Sequence, residues 1–424
     1  MDFQESARCM AEAISAGPTT WHLHGDVDAD GLSAVTVMRE ALTRIGKTVT
    51  TSVSREKTAA SYEKPFRTKA DALLFLDKGS NQAEAISALG AKHGKWVGII
   101  DHHGVPLVVD IPMVNPRLCG LDGSLDASAA TSAAAVALHL GLPLSVATLG
   151  LVGAIGDWQH MSGWRGWNKQ LLQQGLASGA LQKQTQLRLV GLSVAEALDR
   201  SGWIEEPGSQ FLERHGLPLV GDVDSLGPHE ATLRKALKAI GATDIEHEVV
   251  VHNGMDLRRI FRVVDACGRE GHPEVGMDFL LDRIPEAEVH FDRYAEAIGD
   301  NLERLREVGA RRLRAVQHFH ATGAAYTGMV GGIAMTHALP DKSVPICVTA
   351  ETKGALQVST RGNQAMIEAG MNLGAAVSKA AKHVGAEGGG HTIAAGAVIP
   401  KDLLEPFLAE LDEALISQGW MDAA

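Results

Sequence analysis

The segment HLHGDVDADGLSA places His24, Asp26, Asp28 and Asp30 within seven residues. One imidazole and three carboxylates this close repel one another unless cations lie between them. Read as extended chain, the alternation of Asp26, Asp28 and Asp30 projects all three from one side. Three more apolar runs end in acid or histidine: LLFLDKG at Asp77, GIIDHHG at Asp101, His102 and His103, and GAIGDW at Asp157. A single Asp closing a strand is ordinarily a turn former or a cap, but four such strand-end sites together describe a metal-binding pole. Adjacent histidines on extended chain point to opposite sides, so one can bind metal while its neighbour faces a substrate anion, and Asp101 can orient the ligating ring. Oxygen and imidazole donors without thiolates suit Mn²⁺ or Mg²⁺ better than structural zinc. Carboxylates shared among few residues suit two such ions ~3.5–4 Å apart, an arrangement that activates water and hydrolyses phosphoesters.

A second set of groups lies far along the chain. EGGGHTIAAG brings Gly388, Gly389, Gly390 and His391 together, and QVSTRGN carries Ser359 and Arg361. Consecutive glycines let backbone N–H groups approach a phosphate, while hydroxyl and guanidinium groups suit a second one; a plain Gly-rich turn is the competing reading. Other motifs read as structural. HEVVVH, from His247 to His252, alternates like a strand, and His318 and His320 sit at an expected helix end. Arg304, Arg306, Arg311, Arg312 and Arg314 are interleaved with Glu303 and Glu307, as on a solvated face. Trp158, Trp164 and Trp167 follow Asp157 and could stack a base, although core packing is the commoner fate of tryptophan.

The elements that must position these groups alternate along the first 200 residues or so. TTWHLHG, ALLFLD and KWVGIIDHHG read as strands, with GLSAVTVMREALTRI and AEAISALGAKHG as helices between them. Such a succession predicts an α/β fold with a parallel sheet flanked by helices and a ligand site at the carboxyl ends of its strands. The spacing divides the chain into residues 1–205, a middle insertion of unknown role over 206–285, one long connecting helix over 286–322, and a smaller α/β domain over 323–424. In the last of these, TGMVGGIAM, VPICVTA and ALQVST read as strands.

The 424 residues suffice for two or three domains with their own cores. Lys and Arg number 39 against 51 Asp and Glu, a net charge of −12, which excludes a whole-surface positive field for holding nucleic acid. With 45% hydrophobic and 21% charged residues the chain is ordinary globular protein rather than disordered. Four scattered cysteines without a CxxC fit a reducing cytoplasm. Asp2 and Glu5 within an amphipathic start argue against a signal peptide, and no apolar stretch approaches the ~20 residues of a membrane span.

HGDVDADG, LDKG, IDHHG and GDW, followed by GGGHTIAAG, resemble the DHH phosphoesterase superfamily with its DHH-associated C-terminal domain. The GDxDADG form is similar to RecJ-type single-strand exonucleases. NPRLCGLDGS and VVDACGREGHPEVG resemble the archaeal RecJ-like group that includes the GINS-associated nuclease. The resemblance implies a catalytic domain over 1–205 facing the C-terminal domain across a cleft. It implies that His24, Asp26, Asp28, Asp30, Asp77, His102 and Asp157 bind two divalent ions, Mn²⁺ in preference to Mg²⁺. His103 would contact the scissile phosphate with Asp101 supporting it, and Ser359, Arg361, Gly389, Gly390 and His391 would bind substrate. The expected activity is exonucleolytic hydrolysis of single-stranded DNA, with RNA left open. Two alternatives stand beside it: hydrolysis of short oligonucleotides, cyclic dinucleotides or phosphorylated nucleosides, and a replisome scaffold with vestigial activity and a GINS-like partner.

Overall fold

The computed structural model describes residues 2–422 apart from 56–58, 108, 190–192, 219–225 and 228. The chain forms two compact units, 1–291 and 292–424. In the first, α1 (Phe3–Ala16) begins where the Asp2 side chain accepts from the Glu5 N–H, and is followed by β1 (Thr20–Gly25), α2 (Ala29–Arg44), β2 (Thr48–Val53), α3 (Ala59–Glu63), β3 (Ala72–Leu76), α4 (Ala83–His93), β4 (Trp96–Ile100) and β5 (Met113–Val114). The five strands make a wholly parallel sheet in the order β2-β1-β3-β4-β5. β3 is buried at every position, as expected of a continuous ALLFL run inside a parallel sheet. Parallel registry sets Gly25 beside Leu76 and Leu76 beside Ile100, so the loops carrying Asp26, Asp77 and Asp101 leave the sheet at one level.

The helical layer comes from α2 and from α5 (Ala129–His139), α6 (Leu144–Ala147), α7 (Gly150–Gly156) and α8 (Gly166–Ser178). α2 is buried without interruption from Ala29 to Met38 and α5 from Ala129 to Ala137, the mark of helices surrounded by protein. Small residues allow this close approach. A Cβ at Gly153 in α7 would overlap Asp30 Oδ1 and lie 2.6 Å from the Ala130 Cβ.

The middle region is not one insertion. β6 (Gln182–Leu187) pairs antiparallel with β7 (Glu246–His252), which pairs with β8 (Met255–Asp256). Between β6 and β7, α9 (Val194–Ser201), α10 (Gly208–Arg214) and α11 (Glu230–Ala239) enclose a core of their own around Leu198, Phe211, Leu233 and Leu237. The excursion thus starts near residue 182 rather than 206. The chain then returns as α12 (Leu257–Arg269) and α13 (Pro273–Asp282) to support the first unit. α14 (Glu286–Val308) contains the boundary between the units and ends at Val308, short of the expected 322, where Gly309 takes a left-handed φ of +73°.

The second unit has a six-stranded mixed sheet, ordered β13-β14-β12-β11-β10-β9. Its elements are β9 (Arg311–Arg312), β10 (Gln317–His320), α15 (Thr327–Ile333), β11 (Ile346–Thr352), β12 (Ala355–Arg361), α16 (Gln364–Glu368), α17 (Leu373–His383), β13 (Gly388–Gly390), β14 (Ala394–Pro400) and α18 (Leu404–Ile416). TGMVGGI, expected as a strand, is helix α15: its glycines Gly328 and Gly331 come close to the Arg361 side chain on β12, a packing requirement that overrides strand propensity. His318 and His320 lie on β10, not at a helix end, and both ring systems reach the Thr349 hydroxyl.

Candidate metal centre

The HGDVDADG loop is shaped by the start of α2. Asp28 is its N-cap, accepting from Gly31 N at 3.2 Å, and Asp30 lies in its first turn. The three aspartates therefore do not alternate on extended chain; the turn of the helix separates Asp30 from Asp26 and Asp28. Asp30 instead accepts from Ala129 N at 2.8 Å and Ala130 N at 3.0 Å, the first N–H groups of α5, which fix its carboxylate. α12 backs the same loop: Asp265 accepts from Ala29 N at 3.3 Å and from Arg269 Nε at 2.6 Å, and a Cβ at Gly268 would overlap the Val27 carbonyl. His24 closes β1 with Nδ1 2.8 Å from Ser52 Oγ on β2, and Ser52 also meets His22.

Opposite this loop, Asp77 turns the chain out of β3 with φ +60°. Lys78, next to it, is fully buried and donates to the Ser54 carbonyl. Asp101 accepts at one carboxylate from Ser80 N (3.0 Å), His102 N (2.7 Å), His103 N (3.2 Å) and His103 Nδ1 (2.7 Å). This turn brings the two rings side by side, with centroids 4.6 Å apart, rather than to opposite sides. His102 Nδ1 lies 2.6 Å from the Gly123 carbonyl, which can only accept, so that nitrogen carries the proton. Its Nε2 then faces Asp157 Oδ2 at 3.0 Å, Asp77 Oδ1 at 3.3 Å and Asp30 Oδ2 at 3.7 Å.

That convergence tests the site for metal. A nitrogen facing three carboxylate oxygens needs positive charge among them, either its own proton or a metal cation that displaces that proton, and Asp30, His102 and Asp157 offer donor atoms within 4.8 Å of one another. Asp26, Asp28 and Asp77 form a second such group, so Asp77 stands at both. His24 belongs to neither group and adjoins them from β1. Without a metal, protons take up part of the crowded negative charge. Burial and the neighbouring Asp26 push Asp28 up to about 6, and burial with Asp157 pushes Asp30 up to about 7. Burial would lower the His102 imidazole, yet the Asp157, Asp77 and Asp30 carboxylates hold it well above its ordinary range. Burial would raise Asp101, but His103 and His102 hold it well below. Burial and Lys78 keep His24 neutral, down to about 3. An all-oxygen and imidazole donor set with this charge fits a divalent cation.

The sequence-predicted residues of the first unit thus gather at one place, and Asp157 caps helix α7 rather than a strand. Several participants had no signature in the sequence. Arg117 Nε donates to the His102 carbonyl at 3.0 Å, Asn115 Nδ2 to the His103 carbonyl at 3.0 Å, and Gln159 Nε2 to the Gly123 carbonyl at 3.0 Å, with Gln159 held in turn by Asn168 at 2.7 Å. The NPRLC and VVDACGRE segments are where Asn115, Arg117 and Asp265 reside, so those stretches brace the histidine and aspartate loops.

In the second unit, Gly388–Gly390 is an edge strand rather than a turn. Gly389 pairs with Gly396, which pairs with Ser359, so these three form one row across the sheet. Ser359 is buried with its hydroxyl 2.9 Å from that of Thr327, Arg361 ends β12, and His391 follows β13 with its N–H on the Ala394 carbonyl at 2.8 Å. The arginine-rich stretch is committed elsewhere: Arg311 pairs with Glu405 at 2.7 Å, Arg312 with Asp341 at 3.3 Å and Arg314 with Asp412 at 3.0 Å. His247 and His252 lie on β7 against Arg258 and Arg283. Trp167 is buried and donates to the Thr131 carbonyl at 2.7 Å, a core role, and Trp164 packs on His160. Among the described residues no helix is long and apolar enough to cross a membrane.

Residues 21–153 match the profile described as DHH family, N-terminal domain, and residues 316–417 match the DHHA1 domain. The chain is 27% identical over 415 residues to an uncharacterized protein of Methanocaldococcus jannaschii, covering 92% of each. It is 29% identical over 323 residues to the single-stranded-DNA-specific exonuclease RecJ of Thermus thermophilus, covering 67% of this chain and 44% of that protein. Among solved structures it is similar to Thermus thermophilus RecJ in complex with Mn²⁺, with TM-score 0.63 and 21% identity over 98% of this chain and 55% of that one. It is also similar to CDC45 from Entamoeba histolytica, with TM-score 0.61 and 10% identity over 97% of both chains.

Proposed function

As a member of the DHH superfamily with a C-terminal DHHA1 domain, this chain is, we propose, a divalent-metal-dependent phosphoesterase that releases nucleotides from the end of single-stranded DNA or RNA. The observation that carries this reading is His102 Nε2 aimed at the carboxylates of Asp157, Asp77 and Asp30. In this reading His24, Asp26, Asp28, Asp30, Asp77, His102 and Asp157 would hold two divalent ions, with Mn²⁺ preferred. Bound ions supply Lewis-acid polarisation of a phosphoryl oxygen and a nucleophile at neutral pH.

The side chains do the rest. Asp101 accepts from His103 Nδ1, so that with both nitrogens protonated the ring donates from Nε2–H to a non-bridging phosphate oxygen. Asp30, fixed by two N–H groups of α5, keeps its carboxylate aimed at His102. Ser359, Arg361, Gly389, Gly390 and His391 supply hydroxyl, guanidinium, backbone and imidazole donors to a second phosphate of the strand. The acidic balance of the chain suits contact through cations at a strand end better than tight non-specific binding.

The test is product analysis on 5′- and 3′-labelled single-stranded DNA and RNA and on a dinucleotide, each with Mn²⁺, Mg²⁺ or EDTA, beside Asp28→Ala. Mononucleotides released from one end of a long strand, and lost with EDTA and in the variant, are expected. Cleavage of the dinucleotide alone moves the assignment to small phosphoesters. Absence of turnover on every substrate favours the scaffold role, for which the CDC45-like fold supplies the motive and a GINS-like protein the partner to be sought.

A further inference from the structure

Asp157, whose carboxylate faces His102 Nε2, is followed directly by Trp158. The Trp158 side chain is in a residue 52% exposed, and its backbone adopts φ +61°. A bulky L-residue in the left-handed region is strained, and glycine would hold the same turn without that strain. Residues strained in this way cluster at active sites and ligand clamps.

The turn is well defined. Trp158 N donates to the Ile155 carbonyl and Gln159 N to the Ala154 carbonyl, both at 3.0 Å, and Met161 N donates to the Trp158 carbonyl at 3.2 Å. Gln159 points inward, 1% exposed, and is tied to Gly123 and Asn168. The inner half of the turn is therefore locked into the frame of the metal centre while the indole is presented to solvent. Among the described residues the indole has no hydrogen-bonding, aromatic or cationic partner, and Met161, three residues on, is 66% exposed. Trp167, on the same stretch of chain, is spent in the core.

Consecutive Cα atoms are ~3.8 Å apart, so this ring projects from a point one residue away from a carboxylate of the cluster. A nucleotide presents a charged phosphate and a flat base one sugar apart. We propose that Trp158 is a specificity residue: a stacking platform for the nucleobase adjoining the phosphate held at the Asp30, His102 and Asp157 cluster. The site then selects nucleotides over phosphoesters without a base, and does so with little preference among bases, since each has a π-face. This inference rests on the phosphodiester reading above.

The test compares wild type, Trp158→Ala, Trp158→Phe and Trp158→Gly on a single-stranded oligonucleotide and on the same strand with abasic sugars at its terminal positions. Trp158→Ala should raise KM for the base-bearing strand by ~10- to 100-fold, the usual loss of one stacked base, and Trp158→Phe should restore most of it. On the abasic strand wild type and Trp158→Ala should agree within about twofold, as they should if the ring meets only the base. Equal effects on both strands, or none on either, overturn the platform. Trp158→Gly relieves the positive φ, so a stable variant with the same defect excludes misfolding as the cause. If wild type turns over neither strand, the phosphodiester reading fails, and equilibrium binding of the two fluorescently labelled strands in Mn²⁺ still decides the platform: binding that depends on both the bases and Trp158 supports it, and indifference to either overturns it.

Discussion

Gly153 and Asp30 sit in such close apposition that a methyl group on the glycine would overlap the aspartate Oδ1. α7 thereby acts as the floor on which this carboxylate rests, while α5 supplies its two hydrogen bonds from above.

Gly153→Ala should displace Asp30 from those bonds. Overpacking of this kind costs about 1–3 kcal/mol, and thermal melting reads it. The sharper signature is functional: the rise in melting temperature on adding Mn²⁺ should disappear. A variant that melts lower yet keeps the full Mn²⁺ response would show that the contact is not needed for binding.

Asp28, pushed up to about 6, favours its protonated form in the folded state. Its contribution to stability is thus complete below the ordinary carboxylate range near pH ~4 and is lost as pH rises through about 6. Asp28→Asn keeps a good helix cap and should raise the melting temperature of the metal-free protein at pH 8 by about 2–4 °C, a gain of about 1–2 kcal/mol for a partly solvated group. The same change should remove stabilisation by Mn²⁺. In wild type, Mn²⁺ binding should strengthen from pH 5 to pH 7 and release protons, as titration calorimetry in buffers of different ionisation enthalpy would record.

Gln159 acts through the Gly123 carbonyl on His102. Gln159→Leu leaves every candidate ligand in place and should still weaken Mn²⁺ binding by ~10- to 100-fold, the usual effect of removing a group that orients a ligand. An unchanged dissociation constant would reduce Gln159 to a packing residue.

Arg361 belongs to the second unit and should separate from the metal chemistry. Arg361→Gln is expected to raise KM for strands several nucleotides long by ~10-fold or more, in line with loss of a charge-assisted bond, with the Mn²⁺-dependent melting shift intact. A fall in kcat at unchanged KM would refute the binding role.

How far these residues were legible in the sequence follows from how local their signals are. The strand ends at His24, Asp77 and Asp101 combine an apolar run with a polar stop, and parallel registry guarantees that such ends lie together. Asp157 fits the same pattern although a helix precedes it, since GLVGAIG is apolar in either conformation. What stayed hidden depends on distance along the chain. Asp265 reaches the backbone of Ala29 across 236 residues, and nothing in an amphipathic α12 distinguishes it from a solvated polar face. Lys78 follows Asp77 in plain view, yet lysine is seldom buried, so its position inside the protein carries no forecast. α15 reads locally as a strand because of its Val and Ile, while the surface it covers requires small residues on a helix.

The pairing of β6 with β7 has a consequence for how this molecule can vary. The chain departs along one strand and comes back along its neighbour, with Leu187 beside Glu246, so the two ends of the excursion are fixed next to each other. Whatever lies between them can lengthen, shorten or be exchanged for another module without moving either end. The distances among Asp30, Asp77, His102 and Asp157 have no such latitude. One polypeptide therefore combines a part whose paired ends leave room for insertions and deletions with a part where a single methyl group at Gly153 would overlap Asp30 Oδ1.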